Sequence, residues 1–140
     1  TKGTFQIVKG YGKTLGELHA LMKEYPYSEE RRNHKMLLGE IEERMQKYGA
    51  SEIVRKEFED VRKELESLPL STSDYGVIHY DFEPDNVFYD DKEESYSVID
   101  FDDALCCWYA LDVVRALDAL DEVIEEFKKT TKWNGLYFVF

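Results

Sequence analysis

The spacing of the apolar residues changes at one place in this chain, the polar segment 71–74. Before that segment, apolar residues recur every three or four positions, which is the period of a helix with one buried face. After it, short apolar runs alternate with polar turns, which is the pattern of short strands. From residue 108 to about 127 the helical period returns. The sequence therefore predicts a mainly α chain with a small β-patch, a fold of the α+β class.

Start and stop signals divide the first half of the chain into three helices. Thr14 and Glu17 have the spacing of a capping box, and Pro26 would end the helix that they begin. The second helix is expected at 28–49, where Gly49 would close it, and the third at 51–69, where Ser51 would cap it. The remaining elements are expected as strands at 76–78, 87–89 and 96–99, followed by a helix at 108–127.

Charge and cysteine content limit the class of partner. The 140 residues include 18 Lys and Arg against 30 Asp and Glu, a net charge of −12. Nucleic-acid backbones are bound by clustered basic residues, so we expect no nucleic-acid partner. We also expect no membrane contact, since no apolar run approaches the roughly 20 residues that span a bilayer. Cys106 and Cys107 are adjacent and form no disulfide framework, which favours the cytoplasm.

The densest group of polar residues lies in the predicted β-patch. Residues 79–86 read His-Tyr-Asp-Phe-Glu-Pro-Asp-Asn between two strands, and Asp100 and Asp102 follow the third. Loops between buried strands hold polar side chains in place while leaving them open to a ligand. Asp and Asn supply oxygen atoms, which suit Mg²⁺ better than zinc. Each residue alone could simply shape a turn, but their order and strand context favour a site.

These motifs resemble a known family. His-x-Asp-x-x-x-x-Asn at 79–86, followed by a strand that ends in Asp-Phe-Asp at 100–102, resembles the catalytic core of the aminoglycoside phosphotransferase and choline kinase family. Residues 15–21 are also similar to the Leu-x-x-Leu-His helix that begins the C-terminal lobe of that family. The usual family string has Gly where this chain has Tyr80, and His where it has Glu83. The resemblance covers residues 14–127 and implies a protein-kinase-like fold.

The resemblance assigns roles to the polar residues of the two motifs. Phosphoryl transfer needs a base for the acceptor hydroxyl and metal ions that hold the phosphates. Asp81 would be the catalytic base, and the catalytic His79 would orient its loop rather than transfer protons. Asn86 and Asp100 would bind Mg²⁺ and, through it, the phosphates of ATP.

Two further carboxylates have expected places beside this core. Asp102 would be an additional carboxylate at the metal. Asp112, on the following helix among apolar residues, would accept hydrogen bonds from the backbone of residues 79–81, since an unpaired carboxylate there would be costly.

The family enzymes also contain an N-terminal lobe with a phosphate-covering loop and a phosphate-binding Lys. Residues 1–13 are too few for it, the chain begins without Met, and it ends in the apolar run 135–140. We therefore expect residues 1–140 to be a single domain, the C-terminal lobe of an ATP- and Mg²⁺-dependent phosphotransferase, inactive by itself. Its acceptor would be a small molecule with a hydroxyl group, such as an aminoglycoside or an amino alcohol. Exposed apolar surface would make it a homo-oligomer.

Two other functions remain open at this point. The chain could be a non-catalytic module that self-associates through that apolar surface. It could also be a phosphatase of the haloacid dehalogenase type that uses Asp100 and Asp102, although that family's Asp-x-Asp-x-Thr pattern has Ala104 at its last position here. Gly12-Lys13-Thr14 is not the end of a P-loop, because Ile7 stands where that motif requires Gly.

Overall fold

The computed structural model describes residues 4–25, 28, 30–90 and 92–118, with side chains from residue 8 onward. Four helices and four short strands make up this part, so the predicted α+β class is confirmed. In chain order, their bounds are α1 Thr4–Met22, α2 His34–Lys47, α3 Glu52–Ser67, β1 Tyr75–Ile78, β2 Val87–Asp90, β3 Ser95–Val98, β4 Leu105–Trp108 and α4 at 109–118, with one 3-10 turn at Pro84–Asn86 between β1 and β2. The end of the helix predicted to reach residue 127 and the apolar tail 136–140 lie outside the described residues.

Helix α1 begins ten residues earlier than the capping-box prediction placed it. Thr14 lies inside the helix, where its hydroxyl donates to the carbonyl of Gly10 at 2.8 Å. A threonine within a helix commonly bonds to the carbonyl four residues back, so the capping pattern at Thr14 and Glu17 was wrong as a start signal. The buried Tyr11 shows that the core-facing side of the helix already exists before Thr14.

Helix α2, by contrast, begins later than predicted, at His34 instead of near Ser28. Asn33 caps it: the side-chain oxygen accepts from the backbone N–H groups of Lys35 at 3.0 Å and Met36 at 3.3 Å. An Asn at this position satisfies donors that the first helical turn leaves free, and it therefore sets the start of the helix.

The predicted signals around residue 50 are confirmed. Gly49 follows the end of α2 with φ of 68°, the left-handed conformation that closes many helices. Ser51 caps α3, and its hydroxyl accepts from the backbone N–H of Val54 at 3.4 Å. Helix α3 nevertheless buries none of its residues, so its apolar side is largely open in the described part of the chain.

The strands form two antiparallel pairs. Strand β1 pairs with β4, with Tyr75 opposite Trp108. The strands β2 and β3, both predicted, pair with each other as a hairpin, with Val87 opposite Val98. Strand β4 was not predicted. Its sequence Leu-Cys-Cys-Trp has no alternation, because residues 105–107 are all buried, and a short apolar run cannot be distinguished from the start of a helix.

Helix α4 contributes to both apolar clusters of the described core. Its residue Ala116 packs with Tyr11, Leu15 and Phe82, and its first residue, Tyr109, packs with the cluster of Ile78, Leu105 and Cys107. The helix therefore lies against α1 and against the loop that follows β1, which is the loop of the predicted site. Within the described ranges, no helix is both long enough and apolar enough to cross a bilayer.

Candidate active site

Asp112 anchors the loop that follows β1. Its carboxylate is fully buried on α4 and accepts from the backbone N–H of His79 at 2.8 Å and of Tyr80 at 2.7 Å. The sequence predicted bonds from the backbone of residues 79–81, and two of these three residues make them, whereas the N–H of Asp81 donates to His79 Nδ1. The Nε2 atom of His19, on α1, lies 2.9 Å from the same carboxylate. A buried carboxylate is tolerated when hydrogen bonds replace its water, and here they join α1, the loop and α4.

His79 connects the two polar motifs. Its Nε2 lies 2.9 Å from the carbonyl oxygen of Ile99, and because a carbonyl only accepts, Nε2 must carry the proton. Its Nδ1 accepts from the backbone N–H of Asp81 at 3.3 Å. The ring is fully buried beside Phe82 and Phe101, with centroid distances of 5.9 and 4.6 Å. Both nitrogen atoms are thus engaged in holding the loop, which suits an orienting function better than proton transfer.

The Asp81 and Asn86 side chains meet across this loop. Asn86 Nδ2 donates to Asp81 Oδ2 at 3.0 Å and to the Asp81 carbonyl at 2.9 Å. Pro84 begins the 3-10 turn that brings Asn86 back toward Asp81, since its fixed φ suits the first position of a helical turn. The amide nitrogen of Asn86 is fully used, which leaves its oxygen, Oδ1, as the atom that could coordinate a cation.

Asp100 is joined to this pair through the backbone of its neighbour. Ile99 N donates to the Asn86 carbonyl at 3.0 Å, and the Ile99 carbonyl accepts from His79. Asp100 itself is exposed and has φ of 62°. Asp102 is also exposed, and no hydrogen bond or ion pair joins it to the other site residues in the described part of the chain.

The donor set suits a cation that is held partly by its substrate. Among the described residues, no group of three or more His, Cys, Asp or Glu side chains could hold a metal ion. Mg²⁺ is usually bound by one or two protein oxygens together with phosphates and water, so a complete protein cage is not required. The free Oδ1 of Asn86 and the exposed carboxylate of Asp100 fit that requirement.

Tyr80 stands where the usual string of the similar family has Gly, and its backbone has a conformation that suits glycine. Its φ is 70°, in the left-handed region that glycine adopts most easily. The Asp112 carboxylate holds the backbone N–H of Tyr80 in this conformation. The Tyr80 ring lies beneath two guanidinium groups, with the central carbon of Arg115 at 4.9 Å from the ring centroid and that of Arg32 at 5.7 Å.

Arg115 is a residue of this site that was not predicted from the sequence. Its Nη2 donates to Asp81 Oδ1 at 3.2 Å and to Glu83 Oε1 at 3.0 Å. Two signals could have identified it. Arg115 lies three positions after Asp112 and therefore on the same side of the helix. In addition, Glu83 carries a negative charge where the usual family string has His, and a cation nearby would stabilise that charge.

A comparison of the sequence with protein-family models identifies the family of this chain. The model of the APH phosphotransferase enzyme family matches residues 3–133. The chain belongs to the phosphotransferase enzyme family. The resemblance inferred from the two polar motifs and from residues 15–21 is thereby confirmed. None of the curated proteins matches the chain.

A solved structure of a phosphotransferase agrees in fold. An amicoumacin kinase, in complex with AMP-PNP, Ca²⁺ and Ami, is similar to this chain with a TM-score of 0.66 and 21% sequence identity. The match covers 82% of this chain and 34% of the kinase chain. The described fold is therefore kinase-like, and this member of the phosphotransferase family spans about a third of the length of that neighbour.

Proposed function

We propose that this chain is the C-terminal lobe of an ATP-dependent phosphotransferase that transfers the γ-phosphate to a hydroxyl group of a small molecule. The observation that carries the proposal is the contact between Asp81 and Asn86, on a loop whose backbone is bonded to the buried Asp112. The order of these residues resembles the catalytic motif described above, and the phosphotransferase family model covers it, since that model matches residues 3–133.

In this proposal, Asp81 accepts the proton of the acceptor hydroxyl, and His79 keeps the Asp81 backbone in place through its Nδ1. Asn86 Oδ1 and the Asp100 carboxylate would hold Mg²⁺, which neutralises phosphate charge when it is bound. Asp102 would add a second carboxylate near that cation.

The acceptor is proposed from charge and from the structural neighbour. A net charge of −12 favours a cationic acceptor, such as an aminoglycoside or an amino alcohol. The similar kinase is named for amicoumacin, so a first panel of acceptors contains amicoumacin together with aminoglycosides and amino alcohols. The free thiols of Cys106 and Cys107 fit a reducing compartment, and we place the protein in the cytoplasm.

The experiment compares ATP-dependent phosphorylation of this panel by the longest natural protein that contains the sequence and by the 140-residue chain alone. The longer protein should phosphorylate at least one acceptor, and Asp81→Asn should reduce its kcat by about 10²–10⁴, the usual contribution of a general base. The exposed Asp118, on the same helix as Asp112, supplies the control Asp118→Asn, which should leave kcat unchanged. Full activity in Asp81→Asn would contradict the assignment of the base.

The chain alone should not phosphorylate any acceptor. Positioning of the triphosphate supplies most of the catalysis in this chemistry, and we assign that task to a nucleotide-binding lobe outside this sequence. Phosphorylation by the chain alone that is lost in Asp81→Ala would show that residues 1–140 suffice.

We also propose that the chain self-associates through α3. The observation that favours this is the exposure of its apolar side: Ile53 is 75% exposed, and Val54 and Val61 are each 50% exposed. Apolar patches of this kind commonly mark contact surfaces. Sedimentation velocity at micromolar concentration should show a dimer or a larger species that Ile53→Glu dissociates, with Glu57→Gln, on the same helix, as the control. A chain that sediments as a monomer would contradict this proposal.

A further inference from the structure

The contacts of Arg115 give it a function in the loop beyond those that the family motif assigns. Both oxygens of the Asp81 carboxylate are held, Oδ1 by Arg115 Nη2 at 3.2 Å and Oδ2 by Asn86 Nδ2 at 3.0 Å. A carboxylate bonded through both oxygens cannot rotate without breaking one of the bonds. The orientation of Asp81 therefore depends on a residue of α4 as well as on its own loop.

Glu83 makes the orientation of Asp81 depend more strongly on Arg115. Arg115 Nη2 also donates to Glu83 Oε1 at 3.0 Å, so the two carboxylates converge on one nitrogen. Since both oxygens lie near one atom, they are within about 6 Å of each other, where like charges repel unless a cation lies between them. The three side chains are only about one-third exposed, at 32%, 39% and 34% for Asp81, Glu83 and Arg115, so water screens this repulsion incompletely.

The position of the guanidinium group is fixed by more than these ion pairs. Its central carbon lies 4.9 Å from the centroid of the Tyr80 ring, a distance at which a cation is attracted to an aromatic face. Its Nε is buried and has no hydrogen-bond partner among the described residues. Leaving that donor unpaired costs free energy, and the two carboxylates and the ring offset the cost while keeping Nη2 directed at Asp81.

We propose that Arg115 is a positioning residue that holds the Asp81 carboxylate in the orientation required for it to act on the acceptor. The inference rests on the proposed function of Asp81. It predicts that loss of the guanidinium slows the chemical step and does not weaken nucleotide binding.

The first test uses the 140-residue chain and needs no activity. The side-chain NH₂ group of Asn86 gives ¹⁵N–¹H signals, which are assigned by their loss in Asn86→Asp. In Arg115→Gln these signals should shift, and their exchange with solvent should become about tenfold faster, because a carboxylate released on one side turns away from the amide. Arg115→Lys, which keeps the charge, should show a smaller change.

Arg62 supplies a matched control. It is 27% exposed, bonds Glu42 at 3.1 Å and lies 5.8 Å from the Phe58 ring, so it makes the same kinds of contact away from the site. Arg62→Gln should leave the Asn86 signals unchanged. Unchanged Asn86 signals in Arg115→Gln would overturn the proposal.

The second test measures kinetics in the longer, active protein. Arg115→Gln should lower kcat by about 10–100-fold with KM for ATP within about twofold of wild type, and Arg115→Lys should recover part of kcat. A lower melting temperature with unchanged kcat would assign Arg115 to stability alone and overturn the inference. If Asp81→Asn itself leaves kcat unchanged, the proposed function fails, whereas the Asn86 signals still report whether Arg115 orients the carboxylate.

Discussion

Replacing Asp112 tests the anchoring of the catalytic loop. The carboxylate is fully buried and accepts the backbone N–H groups of His79 and Tyr80, and His19 Nε2 lies 2.9 Å away. Asp112→Ala removes all three contacts and leaves the two N–H groups without an acceptor. Asp112→Asn keeps the shape and one oxygen, but it presents an NH₂ group to a donor and removes the negative charge beside His19.

The size of the effect follows from these contacts. A buried donor left without a partner costs about 1–3 kcal/mol. Two such donors give about 2–6 kcal/mol for Asp112→Ala, and the middle of that range, about 4 kcal/mol, agrees with the cost found when a buried pair loses one partner. One lost bond and the lost charge give about 2–3 kcal/mol for Asp112→Asn. Since a domain is stable by about 5–15 kcal/mol, either change removes a substantial fraction of the total.

Urea unfolding followed by circular dichroism measures this effect. With an m-value of about 2 kcal/mol/M, Asp112→Ala should lower the urea midpoint by about 2 M and Asp112→Asn by about 1 M. Asp118→Asn changes an exposed carboxylate on the same helix and should stay within about 0.5 kcal/mol of wild type. If Asp112→Asn costs no more than Asp118→Asn, the reasoning about the anchor is refuted.

Three further predictions follow from individual contacts. Burial, and secondarily Lys35, lowers the pKa of His34, so the unfolded chain binds a proton at this residue more readily than the folded chain. The free energy of unfolding should therefore fall as pH decreases from about 7 to 5. Urea titrations at several pH values should show a weaker pH dependence in His34→Gln, and an unchanged dependence would refute the assignment. Burial raises the pKa of Cys107 to about 11, so at pH 8 only about one thiol in a thousand is ionised. Iodoacetamide should therefore label Cys107 slowly until the chain unfolds. Equal labelling rates with and without urea, measured by mass spectrometry, would contradict this. Gly76→Ala places a methyl group against the Tyr109 hydroxyl and should destabilise the chain by about 1–3 kcal/mol in the same assay; adding Tyr109→Phe should recover part of the loss, and a fully stable Gly76→Ala would show that the ring moves freely.

The sequence predicted those features that depend on neighbouring residues. The cap at Ser51, the closing turn at Gly49 and the β2–β3 hairpin are set within a few positions of the chain, and all three are present. The family was predictable for another reason, because the motif at 79–86 resembles that of the phosphotransferase family in all but Tyr80 and Glu83, and the family model matches residues 3–133.

The sequence did not predict the features that are determined by contacts between residues far apart in the chain. Strand β4 is specified by its pairing with β1 and by burial, neither of which leaves a period in Leu-Cys-Cys-Trp. Thr14 has the spacing of a cap, but the apolar side of α1 continues through Tyr11 and overrides it. The bond from Arg115 to Asp81 joins residues 34 positions apart. The place of Arg115 on the same side of α4 as Asp112 puts it near the loop, but no local pattern specifies its contact with Asp81.

The bonds of Asp112 also have a consequence for the order in which the protein folds. His19 and Asp112 are 93 positions apart, and His79 and Asp112 are 33 apart. Closing such long loops costs chain entropy before any contact compensates for it, so these bonds form late in folding. Helices α1 to α3 can form early from local signals, but the loop 79–86 reaches its final shape only when α4 has docked. A chain in which only the helices have formed therefore lacks the site, and Asp112→Asn should speed unfolding more than it slows folding.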